Sequence, residues 1–324
     1  MKKAPNYKAM FAEIERERGI KEADLVSALK DALMSAAKKR FPNPDDLEVI
    51  IENDGSAKIF DKIKGIEVTP SDFGRLAAQT AKQVILQRIR EAEKQGTFDE
   101  FTGKIGEIAN IVVQCPEYSG YLVNIGRIET FLANSEVIPG ETLMPQERVK
   151  VIIKEVKKTS KGPLIVISRT DPNFIKKLFE MEIPEIKQGI LEIKAISREP
   201  GKRTKIAVFS NDSNIGAVGT CIGPMGNRIQ NITKEIKNER IDVIEWTDKA
   251  KTYIANALSP AKHLNVKVNE EQKSAQVIVP EKELSLAIGR DGQNVRLAVR
   301  LTGYRIDIIS EEKLEEFKKS KEGK

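Results

Sequence analysis

The sequence predicts a multidomain α+β protein: a helical N-terminal domain with a small β-hairpin, then a five-stranded β-barrel, then two copies of one helix-and-strand unit. Three observations predict it. Residues 1–100 carry apolar side chains at helical spacing, residues 103–170 switch to short apolar runs broken by proline and glycine, and the stretch 221–244 recurs at 287–309. A chain of 324 residues is also too long for a single core. Its 54 basic and 48 acidic side chains give +6, with 40% apolar and 31% charged residues, the balance of a folded chain facing water.

In the first hundred residues, helices are expected from Asn6 to Arg18 and from Lys21 to Arg40, the second marked by Leu25, Ala28, Leu29 and Ala32. Phe41-Pro-Asn-Pro should stop it, because proline lacks the amide a helix needs. Val49-Ile-Ile and Lys58-Ile-Phe read as a hairpin around Asn53-Asp-Gly. A long helix begins at Pro70-Ser-Asp, buries Ala77, Ala81, Val84, Ile85 and Ile89, and is expected to end at Gly96. Acidic pairs such as Asp45/Asp46 look like solvated turn.

Five strands follow: Ile105–Gln114, Gly120–Ile125, Glu129–Leu132, Arg148–Val156 and Leu164–Ser168, divided by Pro116, Pro139-Gly and Lys161-Gly-Pro. Five short strands in this length suit a closed OB-type barrel, a fold that binds oligonucleotides. Tyr118, Tyr121 and Phe131 fall on or beside its early strands, where rings either stack on bases or fill the core.

The repeat carries the functional inference. Ile222-Gly223-x-x-Gly226 matches Ile288-Gly289-x-x-Gly292, and Arg240-Ile-Asp-Val-Ile matches Arg305-Ile-Asp-Ile-Ile. A bare Gly-x-x-Gly says little, since Gly103/Gly106 and Gly216/Gly219 have the same spacing. Only the two copies share a wider order: helix, strand, strand, helix, Gly-x-x-Gly, helix, strand. Ile229, Ile232 and Ile236, or Val295, Ala298 and Val299, give the helix after each loop its apolar face. Two glycines permit a tight turn that a sugar–phosphate chain can approach closely, and the second helix aims its N-terminal amides at phosphate. Arg228, Arg290 and Arg296 add charge, and Ile222 and Ile288 would wall an apolar groove for bases. The bland alternative is a helical hairpin whose glycines serve packing alone. Lys202, Arg203 and Lys205 around Pro200-Gly read as a solvated turn.

Both units resemble KH domains, which grip about four nucleotides of single-stranded RNA through such a loop. Together with the barrel and the helical N-terminus they resemble the NusA family of bacterial transcription elongation factors. The stretches from Phe73 to Ile85, Ser168 to Phe179 and Ala287 to Ala298 look like its signatures, and the resemblance covers roughly residues 4–310. It implies an RNA-polymerase-binding domain at 1–100, a barrel of the ribosomal-protein S-one type at 101–170, KH domains of the type-II topology at 171–246 and 247–310, and a charged tail at 311–324. The implied partners are RNA polymerase, single-stranded nascent RNA and further elongation or antitermination factors. The implied activity is modulation of pausing, intrinsic termination and antitermination, by a cytoplasmic monomer. The expected RNA contacts are Gly223, Pro224, Met225, Gly226, Asn227 and Arg228 in the first copy and Gly289, Arg290, Asp291, Gly292, Gln293, Asn294 and Arg296 in the second, with the three barrel aromatics. Met225 stands where many relatives have lysine, and Asp291 where glycine is commoner. Relatives with acidic C-terminal repeats have functions not expected of a chain ending at Lys324.

Other classes are less well supported. Barrel and KH modules also build ribosome-associated and RNA-decay accessory proteins, which the motifs alone leave open. Catalysis lacks a motif: the three Gly-Lys pairs have Phe98, Ile196 and Lys318 where a P-loop needs glycine, and His263 is the single histidine. No catalytic residue, metal or cofactor is therefore expected. Cys115 and Cys221, without any Cys-x-x-Cys, support neither zinc nor a disulfide framework. No apolar run reaches the ~20 residues of a membrane span, and Met1-Lys-Lys-Ala-Pro-Asn lacks a signal-peptide core.

Overall fold

A computed structural model describes residues 7–38, 40–41, 46–52 and 56–315. The proline stop at 42–44, Asp45, the Asn53-Asp-Gly turn and the end of the tail lie outside them. The chain divides into two compact units, residues 1–103 with 158–163, and residues 104–157 with 164–324. No helix of the described residues is long and apolar enough to cross a membrane.

In the first unit, α1 (Tyr7–Arg18) and α2 (Glu22–Lys38) pack with a three-stranded antiparallel sheet, β1 (Leu47–Ile51), β2 (Ala57–Asp61) and β3 (Ile66–Glu67), and with α3 (Phe73–Thr102). Strand β3 has only two residues and no sequence signal of its own. Phe73, Ala77, Ala81 and Ile85 are buried at steps of four, the spacing that keeps side chains on one helical face, against Leu25, Leu29, Leu33 and Ile59. The expected stop at Gly96 does not occur. One interior glycine costs a helix only about 1 kcal/mol, and the turns beyond it are held by Gln95 Nε2 donating to Asp99 Oδ1 (2.6 Å) and Thr102 Oγ1 to the Phe98 carbonyl (2.6 Å). Gly103 is the first residue after the helix.

The second unit opens with most of the barrel, whose strands are β4 (Ile108–Glu117), β5 (Gly120–Ile125), β6 (Ile128–Ala133), β7 (Arg148–Thr159) and β8 (Gly162–Ser168), in the order β6-β5-β4-β7-β8. The Thr130 hydroxyl of β6 donates to the Ile165 carbonyl of β8 (2.7 Å), drawing the two edges together. Pro116 does not end its strand. A bulge between Val113 and Cys115 absorbs the irregularity, and the proline sits at the strand's last pairing but one.

The repeats have the expected order with one addition. The first runs α4 (Pro172–Glu182), the extra turn α5 (Pro184–Lys187), β9 (Leu191–Glu199), β10 (Arg203–Ser210), α6 (Ala217–Ile222), α7 (Asn227–Glu235) and β11 (Arg240–Glu245). The second runs α8 (Ala250–Ala257), β12 (Asn265–Asn269), β13 (Ser274–Val279), α9 (Glu281–Ile288), α10 (Gln293–Thr302) and β14 (Arg305–Ser310). In both, the central strand pairs antiparallel with its predecessor and parallel with the strand after the loop, so each sheet is mixed. Ala207, Ile244, Tyr253, Ile254 and Ala257 share one core, so the second repeat lies on the first repeat's sheet. Trp246 meets Phe209 and Tyr253 edge-on, at 5.5 and 6.4 Å.

The stretch from Ser168 to Phe179 is the joint between barrel and first repeat. Ser168 Oγ accepts from the Thr170 and Asp171 amides, and Asp171 caps α4 by accepting from the Asn173 amide. Arg169 is buried. It donates to both oxygens of Glu141 (2.9 and 2.8 Å) and to the carbonyls of Lys150 and Glu235. Arg198 and Glu239, both fully buried, pair bidentately, and Arg198 also donates to the Arg169 carbonyl (2.7 Å). Such a pair adds little net stability, yet removing one member strands a buried charge at a cost of about 3–5 kcal/mol. Glu239→Ala should therefore lower the stability of the full chain by about that much in urea unfolding; a loss within the ±0.5 kcal/mol typical of surface changes would contradict the joint described here.

Candidate nucleic-acid interface

Both loops adopt the same backbone. Gly223 has φ 77°, ψ 173° and Gly289 φ 76°, ψ 169°; Met225 and Asp291 have φ 51° and 53°; Gly226 and Gly292 have φ 77° and 72°, ψ 15°. The Gly226 amide donates to the Gly223 carbonyl (3.1 Å), and the Gly292 amide to that of Gly289 (3.2 Å). The first glycine of each loop is required sterically as well as conformationally. A Cβ at Gly223 would lie 2.8 Å from Arg228 Cγ, and one at Gly289 would lie 2.7 Å from the Asn294 amide nitrogen. The second glycine meets no such crowding and leaves one side of the turn open. As the residue capping α7 or α10 it supplies no side-chain acceptor to the first-turn amides, which suits them to an incoming phosphate.

Around this shared turn the two copies differ. Arg228 and Asn294 occupy equivalent positions, each tying the helix after the loop back to the helix before it: Arg228 Nη1 donates to the Thr220 carbonyl (2.9 Å), Asn294 Nδ2 to that of Leu286 (3.2 Å). Arg228 reaches on to both oxygens of Glu185 on α5, at 3.1 Å each. Backbone hydrogen bonding at Glu185, reinforced by Arg228, holds that carboxyl below the usual glutamate range. Asn294 is fully buried and also donates to the Leu258 and Ala287 carbonyls. The expectation that Asn294 contacts RNA is thus corrected: it shapes the loop from inside. Arg228 likewise has its guanidinium held by Glu185.

The exposed groups are Pro224, Met225 (94% exposed) and Asn227 in the first loop, and Arg290 and Asp291 in the second. Arg290 Nε stands 3.8 Å from Asp291 Oδ2, so its charge is partly countered. Gln293 and Arg296 both bond Glu199. Ile222 and Ile288 are equally half-exposed, at 38% and 37%, beside their loops. The turn at Pro200-Gly is not all solvated: Arg203 donates to Asp242, and buried Lys205 to Asp242 and the Ser259 carbonyl, while Lys202 alone of the three is exposed. His263 is exposed. Both thiols are free; that of Cys221, beside the first loop, is pushed up to about 12 by burial.

The barrel aromatics do not share one face. Tyr118 is fully exposed at the β4–β5 turn. Phe131 pairs opposite Leu122, its ring tip where a Cβ on Gly120 would be. Tyr121 pairs opposite buried Leu132, so it points to the inner side, and its hydroxyl accepts from the Leu143 amide (3.4 Å). The expected trio of stacking rings is therefore corrected: Tyr121 is turned to the barrel interior.

Comparison with known proteins agrees with this architecture along the chain. Family models described as the NusA-like first KH domain, the NusA-like second KH domain and the NusA N-terminal domain match residues 169–246, residues 250–316, and residues 7–64 and 52–95. A relative from Halalkalibacterium halodurans is 42% identical, with 94% of this chain and 88% of that one covered. The chain belongs to the NusA family. A second relative, from Bacillus subtilis, is 42% identical over 92% of this chain and 89% of its own, and one from Thermus thermophilus 34% identical over 90% and 86%. All three bear the name transcription termination/antitermination protein NusA.

Within this NusA-family chain, Glu185, Glu199, Glu141 and Glu239 are the residues that sequence reasoning passed over. Each is a lone carboxylate far in sequence from its arginine, so no local spacing announces it. The loop geometry yields a graded prediction. Gly289→Ala should destabilise the full chain by more than the ~1–3 kcal/mol of a strained backbone, because its Cβ meets the backbone of α10. Gly292→Ala, with open space around it, should lose only about 1–2 kcal/mol. Equal losses in thermal unfolding would remove the close approach from the explanation.

Proposed function

We propose that this protein is a non-catalytic transcription factor that holds single-stranded nascent RNA on its two Gly-x-x-Gly loops while its N-terminal unit docks on RNA polymerase, and so modulates pausing, intrinsic termination and antitermination in the cytoplasm. The observation that carries the RNA half is the duplicated turn: two loops 66 residues apart adopt one backbone, each opening a helix whose cap has no side chain to compete for its first amides. The names of its relatives, termination/antitermination proteins, support the transcriptional half. The segments taken to carry these roles are 1–100 for polymerase, 101–170 for the barrel, and 171–246 and 247–310 for the two RNA grips.

The strand would lie with phosphates over Gly223–Gly226 and Gly289–Gly292 and bases toward Ile222 and Ile288. Asn227, Arg290 and Arg296 are the polar groups nearest that path, with Tyr118 and Phe131 the barrel rings free to stack. Filter binding with a single-stranded RNA tests this. Gly226→Asp and Gly292→Asp, at the loop positions where a Cβ has room, should each weaken binding, the double variant most, and affinity should fall with salt at a slope near −0.7 per phosphate neutralised. Duplex DNA should bind much less well. Unchanged RNA affinity in the double variant would take the loops out of the mechanism. In the same preparations, full chain immobilised as bait should retain RNA polymerase irrespective of the loop changes.

A further inference from the structure

A cavity of about 400 Å³ lies where the two repeats meet, lined by Glu199 and Lys202 of the first and by Arg290, Asp291, Gln293 and Arg296 of the second. Every lining residue is charged or polar. Glu199 ends β9 and is largely buried, with 14% of its side chain exposed. Its Oε1 accepts from Arg296 Nε at 2.7 Å and lies 4.0 Å from Arg300 Nη1, while Oε2 accepts from Gln293 Nε2 at 2.9 Å. The Arg296 hydrogen bond holds that carboxyl below the usual glutamate range, so it is an anion at neutral pH. A carboxylate spanning two donors on the first turn of α10, beneath a Gly-x-x-Gly loop, occupies the place an oxyanion of a ligand would take. Above it, Lys202 and Arg290 are exposed and come from different repeats.

We propose that this cavity is a phosphodiester site for the stretch of single-stranded RNA that passes from one loop to the other, and that Glu199 is the resident anion from which RNA draws Arg296. The inference rests on the RNA-binding reading above and adds to the second loop's site two residues of the first repeat, Glu199 and Lys202. Three cations face two carboxylates in the cavity, Glu199 and Asp291, so the pull on phosphate is held down until Arg296 changes partner. Lys202 is the first repeat's cation in a site whose other cations stand on the second, so its effect should require an RNA long enough to span both loops.

The test is fluorescence anisotropy of the full chain with a 12-nucleotide RNA and with a tetranucleotide, the length one KH loop grips. Lys202→Ala, on an exposed turn, should weaken the 12-mer by up to about fivefold, the range of a solvent-exposed ion pair. It should also flatten the salt slope by about 0.7 and leave the tetranucleotide unchanged. Glu199→Gln, which keeps the shape and removes the charge, should tighten the 12-mer by a similar factor and steepen the slope. Inorganic phosphate at matched ionic strength should not displace the 12-mer. The proposal is overturned if Lys202→Ala leaves 12-mer affinity and slope at wild-type values, if Glu199→Gln weakens binding without changing the slope, or if phosphate alone displaces the RNA. Gly292→Asp, at the loop position where a Cβ has open space, separates the two claims in the same series. If it fails to weaken the 12-mer, the loop reading is at fault; if it weakens the 12-mer while Lys202→Ala does nothing, only the cavity is.

Discussion

In each repeat, two helices must reverse on a turn so tight that the start of the second passes within 2.8 Å of where a side chain on the first glycine would begin. That approach fixes much else in each repeat. It forces φ and ψ at Gly223 and Gly289 into a region that side chains reject, which in turn drives Met225 and Asp291 into the left-handed region and turns them outward. It brings the second helix's N-terminus to the surface with a glycine as cap, where its dipole favours an anion by roughly 0.3–1 kcal/mol. The parallel pairing of β10 with β11, and of β13 with β14, then returns the chain beneath the helices and closes each repeat.

Because the turn is the same in both copies, the differences around it decide how each would meet a phosphate. The first repeat has an extra helical turn, α5, and uses its Glu185 to hold Arg228 inward. The second has no such turn, and a neutral, buried Asn294 makes the equivalent tie. The first loop therefore offers amides and an exposed methionine, while the second adds Arg290, tempered by Asp291. Two clamps of one shape thus present unequal fields, with the stronger at the second repeat.

The architecture was legible because it rests on periodic or repeated signals. Helical spacing marked α2 and the first part of α3, alternation and proline marked all five barrel strands to within three residues, and self-comparison found both loops. What escaped was set by tertiary context. Gly96 looks like a helix end, but its neighbours bond across it and the helix continues to Thr102. Tyr121 and Phe131 look alike in sequence, yet strand register sends one inward. Asn294 sits in the motif and reads as a ligand contact, although its place behind the loop leaves it no surface. Lys205 reads in sequence as part of a solvated turn, yet it is buried against Asp242 because the second repeat covers that sheet face. A single sequence reveals period and composition, but not which of two charged residues far apart will share a hydrogen bond.

The same point changes how the net charge should be understood. A formal +6 spread over 324 residues suggests a weak, diffuse attraction for a polyanion. In the structure, Arg169, Arg198, Arg203, Lys205, Arg228 and Arg296 each pair with a carboxylate, and the first four serve the packing of barrel and repeats. Their positive charge is countered by a carboxylate oxygen at 2.6–3.1 Å and contributes little to a distant field. The attraction that remains near the loops comes from a few exposed groups, chiefly Arg290 and Lys202, set close to open helix amides. Short-range placement, more than total charge, sets the field that an anion would meet at the two loops, and it depends on the buried pairs that keep barrel and repeats in register.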